Sequence, residues 1–191
     1  MSLSSQSNRA GESYGGGRHL LWVFQLVLFA MLGTLMFCSK IVMELLPNIH
    51  LLGMFTVTYT VVFRSRALIP IYVFVFLTGL YAGFAPWWVP YLYIWLPLWG
   101  VTMLLPKKMP IAVTCVVYPA VSALHGFAYG TLYAPAQALL FGLDLDGMIA
   151  WIVAGLPWDV LHGVGNLFAG LLILPLTRLL QSLLRRYRMN I

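Results

Sequence analysis

From residue 20 onward the chain alternates long apolar runs with short polar or proline-bearing joints. A helix needs about 20 mostly apolar residues to cross a bilayer. The runs predict a first span over 20–46, ending before Pro47, then spans over 49–63, 67–84, 87–105 and 111–132. A last span begins between Met148 and Trp158 and continues to about residue 184. The second run is short, and Pro90 and Pro97 interrupt the fourth. The expected fold is therefore an all-α integral membrane protein of six transmembrane helices. Residues 1–19 are polar and Gly/Ser-rich, with no apolar core or cleavage site of a signal peptide, and read as a disordered cytoplasmic tail. Residues 20–184 then form one membrane domain, and 185–191 a basic cytoplasmic tail.

Composition agrees with that pattern. Of 191 residues, 61% are hydrophobic and only 8% charged. A soluble domain carries about 25% charged residues, so water is not the main solvent. The net charge of +6 would suit nucleic acid, but the basic residues are scattered at segment ends, so no nucleic-acid partner is expected. Topology explains them better. With six spans, both tails and the 2–3 and 4–5 loops share one side, which holds Arg9, Arg18, Arg64, Arg66, Lys107, Lys108, Arg178, Arg185, Arg186 and Arg188. The other side receives Glu44, Asp144, Asp146 and Asp159, and only Lys40 among the bases. The excess of Lys and Arg places both termini in the cytoplasm. Cys38 and Cys115 lie within apolar runs, without metal-ligand spacing, and read as small buried hydrophobes. No inverted repeat and no Gly-rich phosphate loop is found, so the chain does not power a reaction by itself.

An ionisable group at membrane depth costs a few kcal/mol or more, so such groups are paired or functional. Nearly all of them fall in the outer half. Lys40 and Glu44 stand four residues apart at the outer end of the first helix, followed by Asn48 and His50. They form either a salt bridge on one helix face or an anion contact with its orienting partner. Trp87, Trp88, Tyr91, Tyr93, Trp95 and Trp99 crowd the 3–4 loop and fourth span more densely than an interfacial aromatic belt needs. Such rings suit a wall for a flat ligand. His125, Tyr129, Tyr133 and Gln137 follow at roughly helical spacing on the fifth span. In WDVLHGVGN (158–166), Asp159, His162 and Asn166 share one helix face, with Pro157 expected in the first turn. They offer either a hydrogen-bonded cluster between helices, for instance Asp159 with His125, or a donor–acceptor edge for a small polar molecule.

Chemistry is less well supported. No Gly-rich Ser motif or H-E-x-x-H occurs, so no catalytic residue, metal site or cofactor is assigned. A membrane-embedded enzyme, or a redox protein with His125 and His162 as axial ligands of a b-type haem, stands as an alternative, as does a structural assembly partner with an empty polar cluster.

FAMLGTLMFCSKIVMELLPNIHLLG (29–53) and WDVLHGVGNLFAGLLILPLTRLL (158–180) resemble the S-components of energy-coupling factor (ECF) vitamin transporters. The resemblance spans most of the chain after about residue 20. It implies a six-helix S-component-like bundle in a bacterial cell membrane that captures a water-soluble vitamin or related micronutrient from outside, without catalysis. Under the same resemblance the 1–2, 3–4 and 5–6 loops cover the substrate, and the subunit topples against a transmembrane coupling subunit driven by two cytoplasmic ATPases. A small-residue step on the first helix packs on that coupling subunit in the family. The matching positions here are Ala30 and Thr34, with Gly33 beside them, Thr replacing the family's second Ala.

Overall fold

The computed structural model describes the backbone of residues 4–45 and 50–187, and side chains from residue 22 onward within those ranges. Helices account for nearly all of it: α1 Ser4–Met43, α2 Leu52–Phe63, α3 Leu68–Ala82, α4 Trp95–Leu104, α5 Ile111–Phe127, α6 Tyr129–Phe141, α7 Leu145–Gly170 and α8 Ile173–Arg186. Short 3-10 turns cover Arg64–Ala67 and Pro86–Leu92, and no strand occurs among the described residues. The backbone of α1 extends back through the polar stretch before residue 20.

Four helical stretches are long and apolar enough to cross a membrane: Trp22–Met43, Leu52–Ala82, Ile111–Phe141 and Leu145–Gly170. That points to a membrane protein. That is two fewer than the six expected. The helices α2 and α3 are joined almost without a break, and α4, with 10 residues, is only about 15 Å long.

Contacts fix the direction of the first passes. Phe29 on α1 meets Phe63 on α2, with ring centroids 5.2 Å apart. One turn further along α1, Leu32 carbonyl accepts from the Tyr59 hydroxyl at 3.0 Å. On the other flank Gly33 is seated against Val73, and Phe37 meets Tyr81 at 5.7 Å. The partners of α1 thus descend along α2 and ascend along α3, so the two are a hairpin. Its reversal falls at Arg64, whose φ of 57° is costly for a side chain with a Cβ. The turn is tied down by its own surroundings. The Arg64 guanidinium donates to Met103 carbonyl at 2.6 Å, and the Arg64 carbonyl accepts from the Trp99 indole at 3.3 Å.

Helix α2 is the centre of the bundle, with every residue from Leu52 to Thr60 buried. A helix that is apolar all round belongs inside. The Thr60 hydroxyl on α2 bonds the Thr56 carbonyl at 2.7 Å, and that of Thr102 on α4 bonds the Leu98 carbonyl at 2.7 Å, whereas the hydroxyls of Thr56 and Thr58 have no partner among the described residues.

The tightest contact joins α5 and α7. A Cβ on Gly126 would lie 2.7 Å from the His162 carbonyl oxygen, and one on Gly170 would lie 2.6 Å from Pro119 Cα. Only backbone fits there, which is how small residues bring membrane helices together. Between α5 and α6 the helix breaks at Ala128 and resumes at once, with Leu132 N–H on the Ala128 carbonyl at 2.8 Å.

Two expectations are corrected here. The last long helix runs over Leu145–Gly170 and not from between Met148 and Trp158 to about residue 184: Asp144 caps its start by accepting from Gly147 N–H at 2.8 Å, and Pro175, which has no N–H, falls just past its end, in the separate helix α8. Pro157 is therefore internal, and Asp159 lies deep in the helix, beyond the reach of its N-terminal dipole. The two cysteines, both free, are exposed on the outside of the bundle and are not buried.

The α5–α7 contact yields a test. Gly126→Val overpacks backbone against backbone, which costs about 1–3 kcal/mol or more, and should lower the melting temperature clearly in a fixed detergent. Gly100→Ala, where a Cβ meets nothing within 4 Å, should leave it unchanged or slightly raised.

Candidate functional site

The break at Ala128 leaves the backbone amide of Gly130 turned toward α7, where Asp159 Oδ1 accepts from it at 2.8 Å. Glycine is needed there, since a Cβ on Gly130 would stand 2.5 Å from Asp159 Oδ2. The same geometry lays the Tyr129 ring on His162, with centroids 4.7 Å apart and planes within 9°. His50, from the segment before α2, approaches the other side of His162 at 5.5 Å. Trp95 at the start of α4 meets His125 at 5.7 Å, and His125 Nε2 is hydrogen-bonded to the Ile94 carbonyl at 2.8 Å.

The Tyr129–His162 stack divides two cavities. The inner one is bounded by His50, Gly53, Trp95, His125 and Asn166 as well as the stack, and its ≈ 10 Å³ is room for about one water. The outer groove, ≈ 350 Å³ between α6 and α7, is lined by Tyr133, Trp151, Trp158 and Asp159 with the stack. Around these spaces several buried polar atoms have no partner among the described residues: His50 Nδ1, Trp95 Nε1, Ser122 Oγ and Asp159 Oδ2. Buried polar groups are nearly always satisfied, and these exceptions gather beside the cavities, with Thr56, Thr58 and Thr177 also unpartnered elsewhere.

The expected site residues fall into three groups. His50, Trp95, His125, Tyr129, Tyr133, Asp159, His162 and Asn166 line the two cavities. A second group is bound into the framework. Lys40 and Glu44 pair with each other at 2.6 Å, and Trp88 donates to the Val75 carbonyl at 2.8 Å. Tyr93 donates to Leu132 carbonyl at 2.8 Å, and Tyr91 packs on Trp95 at 5.9 Å. Gln137 is half-buried on α6 and lines neither cavity, and Asn48 lies outside the described residues. Asp159 pairs with a backbone amide and not with His125, because the helix break supplies a donor at closer range. On α1, Ala30 and Thr34 face outward, the Thr34 hydroxyl bonding the Ala30 carbonyl at 2.9 Å, whereas Gly33 points inward to α3.

Trp151, Trp158 and Ser122 were not singled out from the sequence. Ser122 stands one turn before His125, and Trp158 directly precedes Asp159, so both were within reach of the same helical-face argument. Trp151 was not, since its approach to Tyr133 (5.9 Å, 15°) depends on the α6–α7 hairpin. Comparison with protein-family models, curated proteins and solved structures finds no match.

His50 precedes the Leu52–Ala82 stretch and carries a titration signal. Burial first, then nearby His162 and Lys40, push it down to about 4, with Glu44 opposing. A histidine at 6.5 when unfolded and about 4 when folded takes up its proton first in the unfolded chain. Stability is then whole above pH 6.5 and falls on acidification toward pH 4, by at most about 1.4 kcal/mol per pH unit from this group. Melting temperatures across that window should fall more steeply for the wild type than for His50→Gln. Equal slopes would remove His50 as the cause.

Proposed function

We propose that this chain is the substrate-binding S-component of an ECF-type importer, capturing a water-soluble vitamin or related micronutrient. One observation carries the reading. Hydrogen-bonding and aromatic side chains from α4, α5, α6, α7 and the segment before α2 converge on two adjoining cavities and leave polar atoms unpartnered there. The chain binds and delivers; it does not catalyse.

The six-span topology belongs to the same proposal. The α2–α3 hairpin counts as two short passes and α4 as another, joining the long stretches of α1, α5–α6 and α7. With both termini in the cytoplasm of a bacterial cell, the basic residues gather inside and the cavities open toward the outer half. The exposed Ala30–Thr34 face of α1 is then free for a transmembrane coupling subunit, with two ATPases beneath it. Gly33 is not part of that face.

A bis-histidine haem is disfavoured by the geometry. His125 Nε2 is already engaged by a backbone carbonyl, and the cavity between His125 and His162, ≈ 10 Å³, cannot hold a macrocycle. An assembly partner with an empty polar cluster is the second reading, favoured by the structural use of Asp159 Oδ1.

Mass spectrometry of small molecules released from protein purified out of cells grown in rich medium tests the proposal, with an Asp159→Asn, Asn166→Ala variant as control. The expected result is one vitamin-like compound, near stoichiometric, lost from the variant. Persistent emptiness across supplemented media would favour the assembly reading.

A further inference from the structure

We infer that the groove between α6 and α7 takes a flat, positively charged nitrogen heterocycle, with Asp159 as its counter-ion. This rests on the capture reading above and names the charge and shape of what is captured. Asp159 is 4% exposed, and of its two oxygens only Oδ1 is engaged, by the Gly130 amide. Oδ2 has no partner among the described residues, and no Lys or Arg lines the groove. A carboxylate buried without a cation is disfavoured in its charged form, and a ligand that brings positive charge relieves that cost in place of a proton.

The walls make the same selection. Trp151, Tyr133, Tyr129 and His162 form a continuous stacked series along the groove, with neighbouring centroids 5.9, 6.1 and 4.7 Å apart. The face of an aromatic ring is negative, so such walls attract cations and accept flat rings by stacking. Gly155 leaves the side of the groove open, since a Cβ there would meet nothing within 4 Å. At ≈ 350 Å³ the space suits a one- or two-ring ligand. An anion would face both the carboxylate and the ring faces unfavourably, and a neutral ring would gain nothing from the charge of Asp159.

The test uses the full-length protein in lipid nanodiscs at pH 8, so that histidine is neutral, with empty nanodiscs as background. Three ring isosteres are titrated by calorimetry: 1-methylquinolinium, quinoline and quinoline-2-carboxylate. The cation should bind about tenfold tighter than quinoline, as a desolvated cation–aromatic contact with a counter-ion implies. The carboxylate should bind weakest. Asp159→Asn, which keeps an oxygen for Gly130, should abolish the preference between cation and neutral ring. Trp151→Leu should weaken all three together. Quinoline or its carboxylate binding as tightly as the cation, the preference surviving in Asp159→Asn, or no binding of any probe would each overturn the inference. The two proposals fail separately. A neutral or anionic compound released from the purified protein sinks the charge assignment and upholds capture, whereas no released compound and no bound probe sinks both.

Discussion

A carboxylate bonded to a backbone amide, inside helices apolar enough to cross a membrane, organises the polar half of this protein. The run from Ile111 to Phe141 breaks at Ala128, and the amide of Gly130 leaves the helical ladder. Lipid offers such a group no partner, so the protein must. Asp159 does so at 2.8 Å. The bond is short enough to form because Gly126 sits against the α7 backbone, Gly130 makes room for the carboxylate and Gly163 for the Phe127 ring. Tyr129, the residue at the break, is thereby laid flat on His162, and the wall between the inner cavity and the outer groove is made. Helix break, glycine contact, ion and ring stack are one arrangement.

The carboxylate divides its work between its oxygens. Oδ1 holds the two helices together, while Oδ2 is buried against Gly130 without a partner among the described residues, in a residue that lines the groove. At the same end of the bundle, Lys40 and Glu44 neutralise one another and act on His50 from a distance. Lys40, the cation that acts on His50, is thus already paired, and no Lys or Arg lines the groove.

The all-helical character and the apolar runs were legible in the sequence, because the period of apolar residues and the proline-bearing joints are local properties. So was the grouping of Asp159, His162 and Asn166 on one helix face, which follows from their spacing alone. The helix start was misplaced since Pro157 resembles a first-turn proline, whereas the Asp144–Gly147 cap lies further upstream in a stretch just as apolar. The partner of Asp159 was not legible at all. It is a backbone amide set free by a break that no single residue announces, and it exists only once α6 folds back along α7. Trp151 entered the groove for the same reason, through the hairpin rather than through any motif. Gly33 shows the converse, a small residue whose neighbours Ala30 and Thr34 face outward while it packs on α3.

The measurement closest to the centre of this account is amide hydrogen exchange over residues 128–132 in the wild type, Asp159→Asn and Asp159→Ala. Asparagine still offers an oxygen to Gly130, so its protection should stay near the wild-type level. Alanine leaves the amide unpaired, at a cost of about 1–3 kcal/mol, and exchange there should quicken by roughly one to two orders of magnitude. Protection in Asp159→Ala equal to that of the wild type would contradict the account, because something other than the carboxylate would then be holding the break.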